Sequence, residues 1–450
     1  MTINTLISSA TLINEGKMFQ ADVWIQGSHI HKIGNIAPEE LPEGFLHIDG
    51  RGKYLIPGII DEHVHFRDPG ATHKGDMESE SRAAVLGGIT SYLDMPNNNP
   101  PAISRKALEE KLRLAQEKSW ANYGFYLGLN NNNQEEAFQL DLHQHCGIKL
   151  FMGSSTGNIL VDREETLHTL FQDFPGVMAL HCEDEQCIRQ ATEQAKEQYG
   201  DQIPFSQHPT IRSREACIRS TARAIALAEG GKAHVHLMHI STAEEVELIR
   251  KAKESNPRLT AETCPNYLWF DASQYDQLTY RLKCNPAIKA ASDREALLKA
   301  VREGVLDTIG TDHAPHLLEE KKQNYLQSPS GMPSIQFSLP VMVELHLQGH
   351  FDLPTLVDRM CHAPARLFHI ENRGYIRCGQ FADLVLFSIN PTDKQEVTTA
   401  KLAGKCGWSP YEGCHFATQI EYTWVNGQAV VANRQIQAIE KPGIPLTYER

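Results

Sequence analysis

Length and composition limit the class of protein before any motif is considered. The chain has 450 residues, of which 41% are hydrophobic and 22% charged, as in an ordinary globular protein with a sizeable core. Its formal net charge of −13 argues against nucleic acid as a partner, because no basic stripe could replace the counterions of a phosphate backbone. No apolar run approaches the roughly 18 residues of a membrane span, so no membrane partner is expected.

The N-terminus and the cysteines point to a cytoplasmic protein. The first ten residues lack a basic segment followed by a long apolar stretch, so no signal peptide is expected. The ten cysteines are scattered and form no Cys-x-x-Cys pair, which argues against a zinc ribbon or a redox motif. Free thiols in a reducing compartment are the favoured interpretation.

The central part of the chain alternates short apolar runs with longer helix-like stretches, the pattern of repeated βα units. Helices are predicted, for example, over 104–118, 214–229 and 243–253. The predicted strands cover residues 56–65, 89–95, 123–129, 148–152, 177–181, 234–240, 258–263 and 306–312. Eight parallel strands predict an α/β fold, a closed (β/α)8 barrel of the TIM type.

The two ends of the chain differ from the centre. Residues 1–55 and 376–450 contain short alternating segments separated by Gly or Asn turns. We expect both ends to meet in one small β domain, a β-sandwich beside a barrel that spans residues 56–375.

Histidines and other metal-binding side chains recur where the predicted strands end. His63 and His65 follow the first strand with the spacing that places both side chains on one face. Such a pair alone more often marks surface or hydrogen-bonded histidines. Further candidates follow other strands, and the carboxyl ends of barrel strands share one rim. These further candidate ligands are Lys149, His181, His239 and Asp312.

This set is larger than one closed tetrahedral site needs, so two metal ions fit better than one. Lys149 is the unusual member, because an ammonium would be repelled by two dications. Burial would lower its pKa, and the neutral amine could then capture carbon dioxide and bridge the metals as a carbamate. The alternative is an ordinary strand lysine that points elsewhere.

Asp312 stands in the segment Gly310-Thr-Asp-His-Ala-Pro-His316. A carboxylate beside a metal can take a proton from water and later pass it to a leaving nitrogen, as base and then acid. Considered alone, a helix N-cap is the more common role for such an aspartate.

Seven ordered motifs resemble those of the dihydroorotases in the amidohydrolase superfamily, and the resemblance extends to Ala382-Asp-Leu-Val-Leu386 in the C-terminal β segment. The motifs are Asp61-Glu-His-Val-His-Phe-Arg-Asp-Pro-Gly70, Asp94-Met-Pro-Asn97, Gly147-Ile-Lys149, His181-Cys-Glu-Asp184, His239-Ile-Ser-Thr242, Lys283-Cys-Asn-Pro286 and Asp312-His-Ala-Pro-His316. The resemblance implies reversible hydrolysis of L-dihydroorotate to N-carbamoyl-L-aspartate in pyrimidine biosynthesis. It also implies two zinc ions, a carboxylated Lys149 between them, a bridging hydroxide as nucleophile and Asp312 as proton shuttle.

The resemblance further implies four contacts to the substrate. The planar guanidinium of Arg67 suits the free carboxylate of dihydroorotate. Asn97 and His316 resemble the other carboxylate contacts, and Asn285 resembles a residue that binds the ring. The alternatives are turn capping for the two asparagines and a surface ion pair for Arg67.

Several departures from the family pattern fall on the pocket rim. Thr263-Cys-Pro-Asn-Tyr267 replaces a common Thr-Pro-His-His stretch, and Asn285-Pro-Ala-Ile-Lys289 replaces Asn-Pro-Pro-Leu-Arg. Gly331-Met-Pro-Ser-Ile-Gln336 differs from the more usual Gly-rich segment, which contains Glu-Thr. Segments 153–158 and 317–334 contain Gly or Ser and are candidates to close over a substrate.

Two rival interpretations stay open. Allantoinases and the hydantoinase or dihydropyrimidinase group share the barrel and metals, but act on rings without a carboxylate. A non-catalytic dihydroorotase-like assembly subunit is an interpretation from another class, although such proteins usually lose ligands. By analogy with relatives we expect a homodimer or homotetramer and an association with aspartate transcarbamoylase.

Overall fold

The computed structural model describes residues 4–153 and 159–449. Its strands, in chain order, are β1 (Asn4–Asn14), β2 (Lys17–Gln26), β3 (His29–Gly34), β4 (Leu46–Asp49), β5 (Tyr54–Pro57), β6 (Ile59–Val64), β7 (Ile89–Asp94), β8 (Asn122–Gly128), β9 (Gly147–Phe151), β10 (Val177–His181), β11 (His234–Leu237), β12 (Leu259–Thr263), β13 (Thr308–Ile309), β14 (Leu384–Ile389), β15 (Gln395–Glu396), β16 (His415–Phe416), β17 (Thr418–Val425), β18 (Gln428–Ala432) and β19 (Gln435–Ile436).

The helices surround the central strands. In chain order they are α1 (Met77–Leu86), α2 (Arg105–Lys118), α3 (Gln134–Phe138), α4 (Glu164–Asp173), α5 (Glu185–Tyr199), α6 (His208–Ile211), α7 (Arg214–Leu227), α8 (Ala243–Lys253), α9 (Pro265–Trp269), α10 (Tyr275–Leu278), α11 (Ala291–Glu303), α12 (Leu318–Lys321), α13 (Ser338–Leu347), α14 (Leu353–Val357) and α15 (Ala363–Phe368). A π-helical turn, Asp358–His362, joins the last two. Among the described residues, no helix combines the length and the apolar character needed to cross a membrane.

Eight parallel strands, β6 to β13, lie side by side in chain order and form a nearly closed barrel. Closure between the first and last strands is made just beyond their ends, where the amide of His65 donates to the carbonyl of His313 at 2.8 Å. Asp61 strengthens this junction because its carboxylate accepts from the amide and the hydroxyl of Thr311, at 3.0 and 2.6 Å. The predicted barrel is therefore confirmed.

The two ends of the chain meet in one nine-stranded sheet. Its order is β19, β18, β17, β14, β5, β1, β2 and β3, and β4 pairs with β1. Most neighbours are antiparallel, and the sheet has its own core around Leu12, Leu55 and Trp424. This separate sheet confirms the predicted fold class; the boundaries proposed for the two domains stay a proposal.

Two predicted strands differ from those observed. The strand expected over 56–65 is two elements, because Ile56 and Pro57 pair with β14 in the sheet and the barrel strand begins at Ile59. Gly58 separates them, and a side chain there would meet Thr90 at 2.0 Å. The last strand, expected over 306–312, is only Thr308–Ile309, and the backbone beyond it turns at Asp312, which has a φ of 46°.

The helices follow their sequence signals closely. Ser104 caps α2 by accepting from the amide of Ala107, so the helix begins one residue later than predicted. Thr242 and Glu245 form a capping box at the start of α8, whose bounds agree with the prediction. The helix predicted over 214–229 ends at Leu227.

Candidate metal centre and substrate pocket

All ten residues predicted for the site line one cavity of about 350 Å³ at the carboxyl ends of the barrel strands. They are His63, His65, Arg67, Asn97, Lys149, His181, His239, Asn285, Asp312 and His316. Lys74, Phe151, Ala314 and the segment 329–331 complete the wall. The structure thus brings together residues that the chain spreads over about 250 positions, whereas their individual roles stay predictions.

The first group of candidate ligands is His63, His65 and Asp312. Oδ1 of Asp312 lies 3.3 Å from Nε2 of His63 and 3.1 Å from Nε2 of His65. The other nitrogen of each ring has an oxygen partner, since Nδ1 of His63 lies 2.7 Å from Glu262 and Nδ1 of His65 lies 2.7 Å from Asn97. These outer contacts orient both rings with Nε2 toward the carboxylate, as in metal-ligating histidines.

The second group is His181, at the end of β10, and His239, just after β11. Nδ1 of His181 lies 2.8 Å from Nε2 of His239. On the far side of His181, Oε2 of Glu183 lies 3.1 Å from Nε2 and 2.9 Å from a guanidinium nitrogen of Arg212. The backbone of His239 has a φ of 42°, and its amide donates to Glu262 at 3.1 Å.

Burial sets the protonation of His65, His181 and His239. It lowers the pKa of His65 to about 4, lowers the pKa of His181, and lowers that of His239 well below its ordinary value. Burial alone would raise the pKa of Asp312, but His63 and His65 beside it bring that pKa below the usual range. Neutral imidazoles and an ionised carboxylate are the forms that bind divalent metals, so the donor set fits such ions.

Lys149 extends from β9 into the same cavity and is 1% exposed. Its Nζ lies 2.8 Å from the sulfur of Met238 and 4.9 Å from the centre of the Phe151 ring. These surroundings solvate an ammonium poorly, and burial lowers the pKa of Lys149 to about 8. A neutral amine is therefore accessible near physiological pH, as carbamate formation requires.

The residues predicted to bind substrate lie along one wall. Arg67 has a φ of 65°, and its Nε donates to the carbonyl of Pro315 at 3.1 Å. Its Nη2 lies 3.1 Å from Nε2 of His316. Oδ1 of Asn97 already contacts His65, which leaves the amide nitrogen of Asn97 for a ligand. Oδ1 of Asn285 is buried without a hydrogen-bond partner among the described residues, so it can accept from a bound ring N–H.

Segment 317–334, one of the two candidates to close over a substrate, is hydrogen-bonded to Lys283 in the loop before α11. The ammonium of Lys321 donates to the carbonyls of Lys283, Pro329 and Gly331 at 2.8 to 3.1 Å. Lys283 donates to the carbonyls of Tyr325 and Ser328. These bonds tie the segment to that loop, and its residues 329–331 line the cavity. Most of the other candidate cover, 153–158, lies outside the described residues.

Several residues of the site were missed by the sequence interpretation. Glu262 contacts both groups of candidate ligands, and a charged residue inside a buried strand was the signal that could have revealed it. Burial raises the pKa of its neighbour Glu62 well above the ordinary value, whereas His63 holds the pKa of Glu262 low despite its burial. The negative charge of this pair therefore rests on Glu262, where it orients His63. Lys74 belongs to no strand end, so no simple pattern marked it.

Comparison with known proteins agrees with this geometry. Residues 54–430 match the model of the amidohydrolase family. A dihydroorotase from Methanosarcina acetivorans is 30% identical over 448 residues, which cover 97% of this chain and 93% of that protein. An allantoinase from Deinococcus radiodurans is 29% identical over 447 residues, 96% of each chain.

The solved structure of an L-hydantoinase (dihydropyrimidinase) from Arthrobacter aurescens supports the same fold. It superposes with a TM-score of 0.92 over 99% of this chain and 100% of that one, at 24% identity. The family match, which covers most of the chain, and the barrel with its cluster of histidines at the rim lead to one conclusion: the chain belongs to the amidohydrolase family.

Proposed function

We propose that the protein is a cyclic amidohydrolase that converts L-dihydroorotate and N-carbamoyl-L-aspartate into each other. The observation that carries this choice is the cationic end of the pocket. Arg67 lies in the wall with Nη2 close to His316, in the same cavity as the candidate metal ligands. A guanidinium in such a position suits a substrate that carries a carboxylate beside the ring to be opened.

Two divalent ions, most simply Zn²⁺, fit the residues of the rim. His63, His65 and Asp312 would hold one ion, His181 and His239 the other, and Lys149 would join them as a carbamate. Forming the carbamate requires the neutral amine to add to carbon dioxide and release one proton. The metal ions would supply Lewis acidity and lower the pKa of water.

The chain's own groups account for the remaining steps. Asp312 is ionised at neutral pH, with a pKa below the usual range, so its carboxylate is in the form that can accept a proton. The protonated Asp312 can then return that proton to the ring nitrogen when the amide bond breaks. Arg67 and the amide of Asn97 would hold the carboxylate, and Oδ1 of Asn285 would accept from the ring.

The allantoinase interpretation is the second candidate, favoured by the 29% identity to the Deinococcus radiodurans protein. An allantoinase or hydantoinase has no substrate carboxylate to pair with Arg67. The prediction of a homodimer or homotetramer, with an association to aspartate transcarbamoylase, stays part of the proposal, as does a cytoplasmic location.

The test is turnover of three rings by the zinc-loaded protein: L-dihydroorotate, allantoin and 5,6-dihydrouracil. We expect kcat/KM for dihydroorotate to exceed the others by about 100-fold or more, because a site built for a charged group loses that contact with a neutral ring. Preference for allantoin or dihydrouracil would support the rival enzymes. Bound zinc without turnover of any ring would support a non-catalytic subunit.

A further inference from the structure

A lysine outside every predicted motif lines the substrate pocket. The side chain of Lys74 is 18% exposed, and it lies in the loop that connects Arg67 to helix α1. Its Nζ lies 3.1 Å from Nδ1 of His316 and 3.2 Å from Oε2 of Glu320. His316 therefore has a cation at each end of its ring, with Lys74 at Nδ1 and Arg67 at Nε2.

Two of the three hydrogen-bond contacts of the His316 ring, those with Ser330 and Lys74, favour one tautomer over the contact with Arg67. Nε2 lies 3.1 Å from the carbonyl oxygen of Ser330, which can only accept, so Nε2 carries the hydrogen. Nδ1 then has the lone pair and accepts from the ammonium of Lys74. The opposite tautomer would turn an N–H toward that ammonium and leave the Ser330 carbonyl without its donor. Burial and the cations around the ring lower the pKa of His316 well below its ordinary value, which keeps the ring neutral.

This tautomer has a consequence for Arg67. Its Nη2 lies against the N–H of His316, so two donors face each other. That guanidinium nitrogen needs an acceptor from the cavity, and a ligand carboxylate is suited to provide it. Among the described residues that line the cavity, the one carboxylate is Asp312, which contacts the histidines at the metal end. Glu320 offsets part of this charge, since its Oε2 lies 3.2 Å from Nζ of Lys74 and 3.8 Å from Nδ1 of His316, but the wall formed by Arg67, Lys74 and His316 keeps a net positive charge.

We propose that Lys74 is a specificity-determining residue, which fixes the tautomer of His316 and adds the second positive charge that selects substrates with a free carboxylate. This inference rests on the proposed dihydroorotase function and deepens it. The carboxylate keeps its charge while the distant amide bond breaks, so the contact stabilises ground state and transition state alike. Removing it should therefore raise KM more than it lowers kcat.

Three variants test the proposal, each zinc-loaded and assayed with L-dihydroorotate. Lys74→Met removes the charge and keeps most of the side-chain volume. We expect KM to rise about tenfold, the loss typical of one charge-assisted contact, while kcat changes less. Glu320→Gln removes the competing ion-pair partner but keeps Lys74, so KM should not rise. Lys322→Met changes an exposed lysine of the same wall segment and serves as the control.

The outcomes separate this inference from the function on which it rests. If the wild type turns over dihydroorotate and Lys74→Met has the same KM, Lys74 selects nothing and the inference fails alone. An equal rise of KM in Lys74→Met and Glu320→Gln would show that only their ion pair matters, which also overturns it. If the wild type does not act on dihydroorotate, the proposed function fails, and this inference fails with it. Zinc content and circular dichroism report whether each variant is folded.

Discussion

The candidate ligands are oriented by partners that lie far away in the chain. Glu262 comes 199 residues after His63, accepts at 2.7 Å from its Nδ1 and also receives the amide of His239. The Glu262 carboxylate therefore orients the ring of His63 and the backbone turn at His239. Since such outer partners raise the basicity of a ligand and fix its direction, their loss weakens metal binding.

Glu262→Gln tests this orienting role. The substitution keeps the shape but removes the negative charge beside His63, so we expect metal affinity to fall about 10- to 100-fold. Competition with a chelator of known affinity measures the change. Glu254→Gln alters an exposed glutamate at the end of α8 and should have no effect. Equal affinity of both variants would remove Glu262 from the support of the metal centre.

Lys149 predicts how reconstitution depends on pH. Burial disfavours the ammonium and lowers the pKa of Lys149 to about 8, so the neutral amine is minor below that value and dominant above it. Activation of metal-free protein by zinc, at constant dissolved carbon dioxide, should therefore accelerate as pH rises through about 8 and then level off. A rate of activation that does not change across this range would contradict carbamate formation at Lys149.

The members of the site were predictable from sequence because parallel barrel strands place their carboxyl ends on one rim. Ten residues chosen from motifs at or near strand ends lie in one cavity for this reason. The local backbone was not predictable: Arg67, His239 and Asp312 all have positive φ values, which their neighbours in sequence do not require. At His239 a tertiary contact supports the conformation, since the His239 amide donates to Glu262.

Strand β9, which carries Lys149, begins at a position that only glycine fits. Gly147 has a φ of 145°, and a Cβ there would lie 2.2 Å from the carbonyl oxygen of Val177. The neighbouring strand β10, which begins at Val177 and carries His181, would have to move away. The spacing between two candidate ligands therefore depends on this close approach of the backbones.

Gly147→Ala should lower the free energy of unfolding by about 2 to 4 kcal/mol, since it adds both a clash and an unfavourable φ. Urea denaturation measures the loss. Gly200→Ala is the matched control, because Gly200 also has a positive φ, 59°, but nothing lies within 4 Å of its added Cβ. That variant should lose less, about 1 to 2 kcal/mol, since it carries the cost of the φ without the clash. A loss at Gly147 no larger than at Gly200 would mean that the strands shift without cost.

A buried polar network joins the barrel to the sheet made by the chain ends. Asp383, 4% exposed, accepts from the side chain of Asn122 at 3.0 Å and from the amide of Asn426 at 2.7 Å. It also pairs with the buried guanidinium of Arg373. Because Asn122 begins a barrel strand and Asn426 follows a strand of the sheet, one carboxylate connects both parts. Sequence motifs marked Asp383 but could not reveal partners this distant.

Asp383→Ala should therefore destabilise the whole molecule. It leaves the Arg373 charge buried without a counterion, for which we expect a loss of about 3 to 5 kcal/mol in the free energy of unfolding. Asp393→Ala removes an exposed aspartate of the next turn and should change stability by less than about 0.5 kcal/mol. Equal stability of the two variants would show that barrel and sheet do not depend on this junction.

The most direct test of the proposed chemistry compares wild type with Arg67→Ala in hydrolysis of L-dihydroorotate, with zinc measured in the same samples. The polar contacts of the Arg67 guanidinium are to Pro315 and His316, and neither residue is a candidate metal ligand. The variant should therefore keep its zinc. It should lose most turnover, because the guanidinium that would hold the substrate carboxylate is gone. Equal turnover in both proteins would remove Arg67 from the substrate site, and with it the central reason for choosing dihydroorotate.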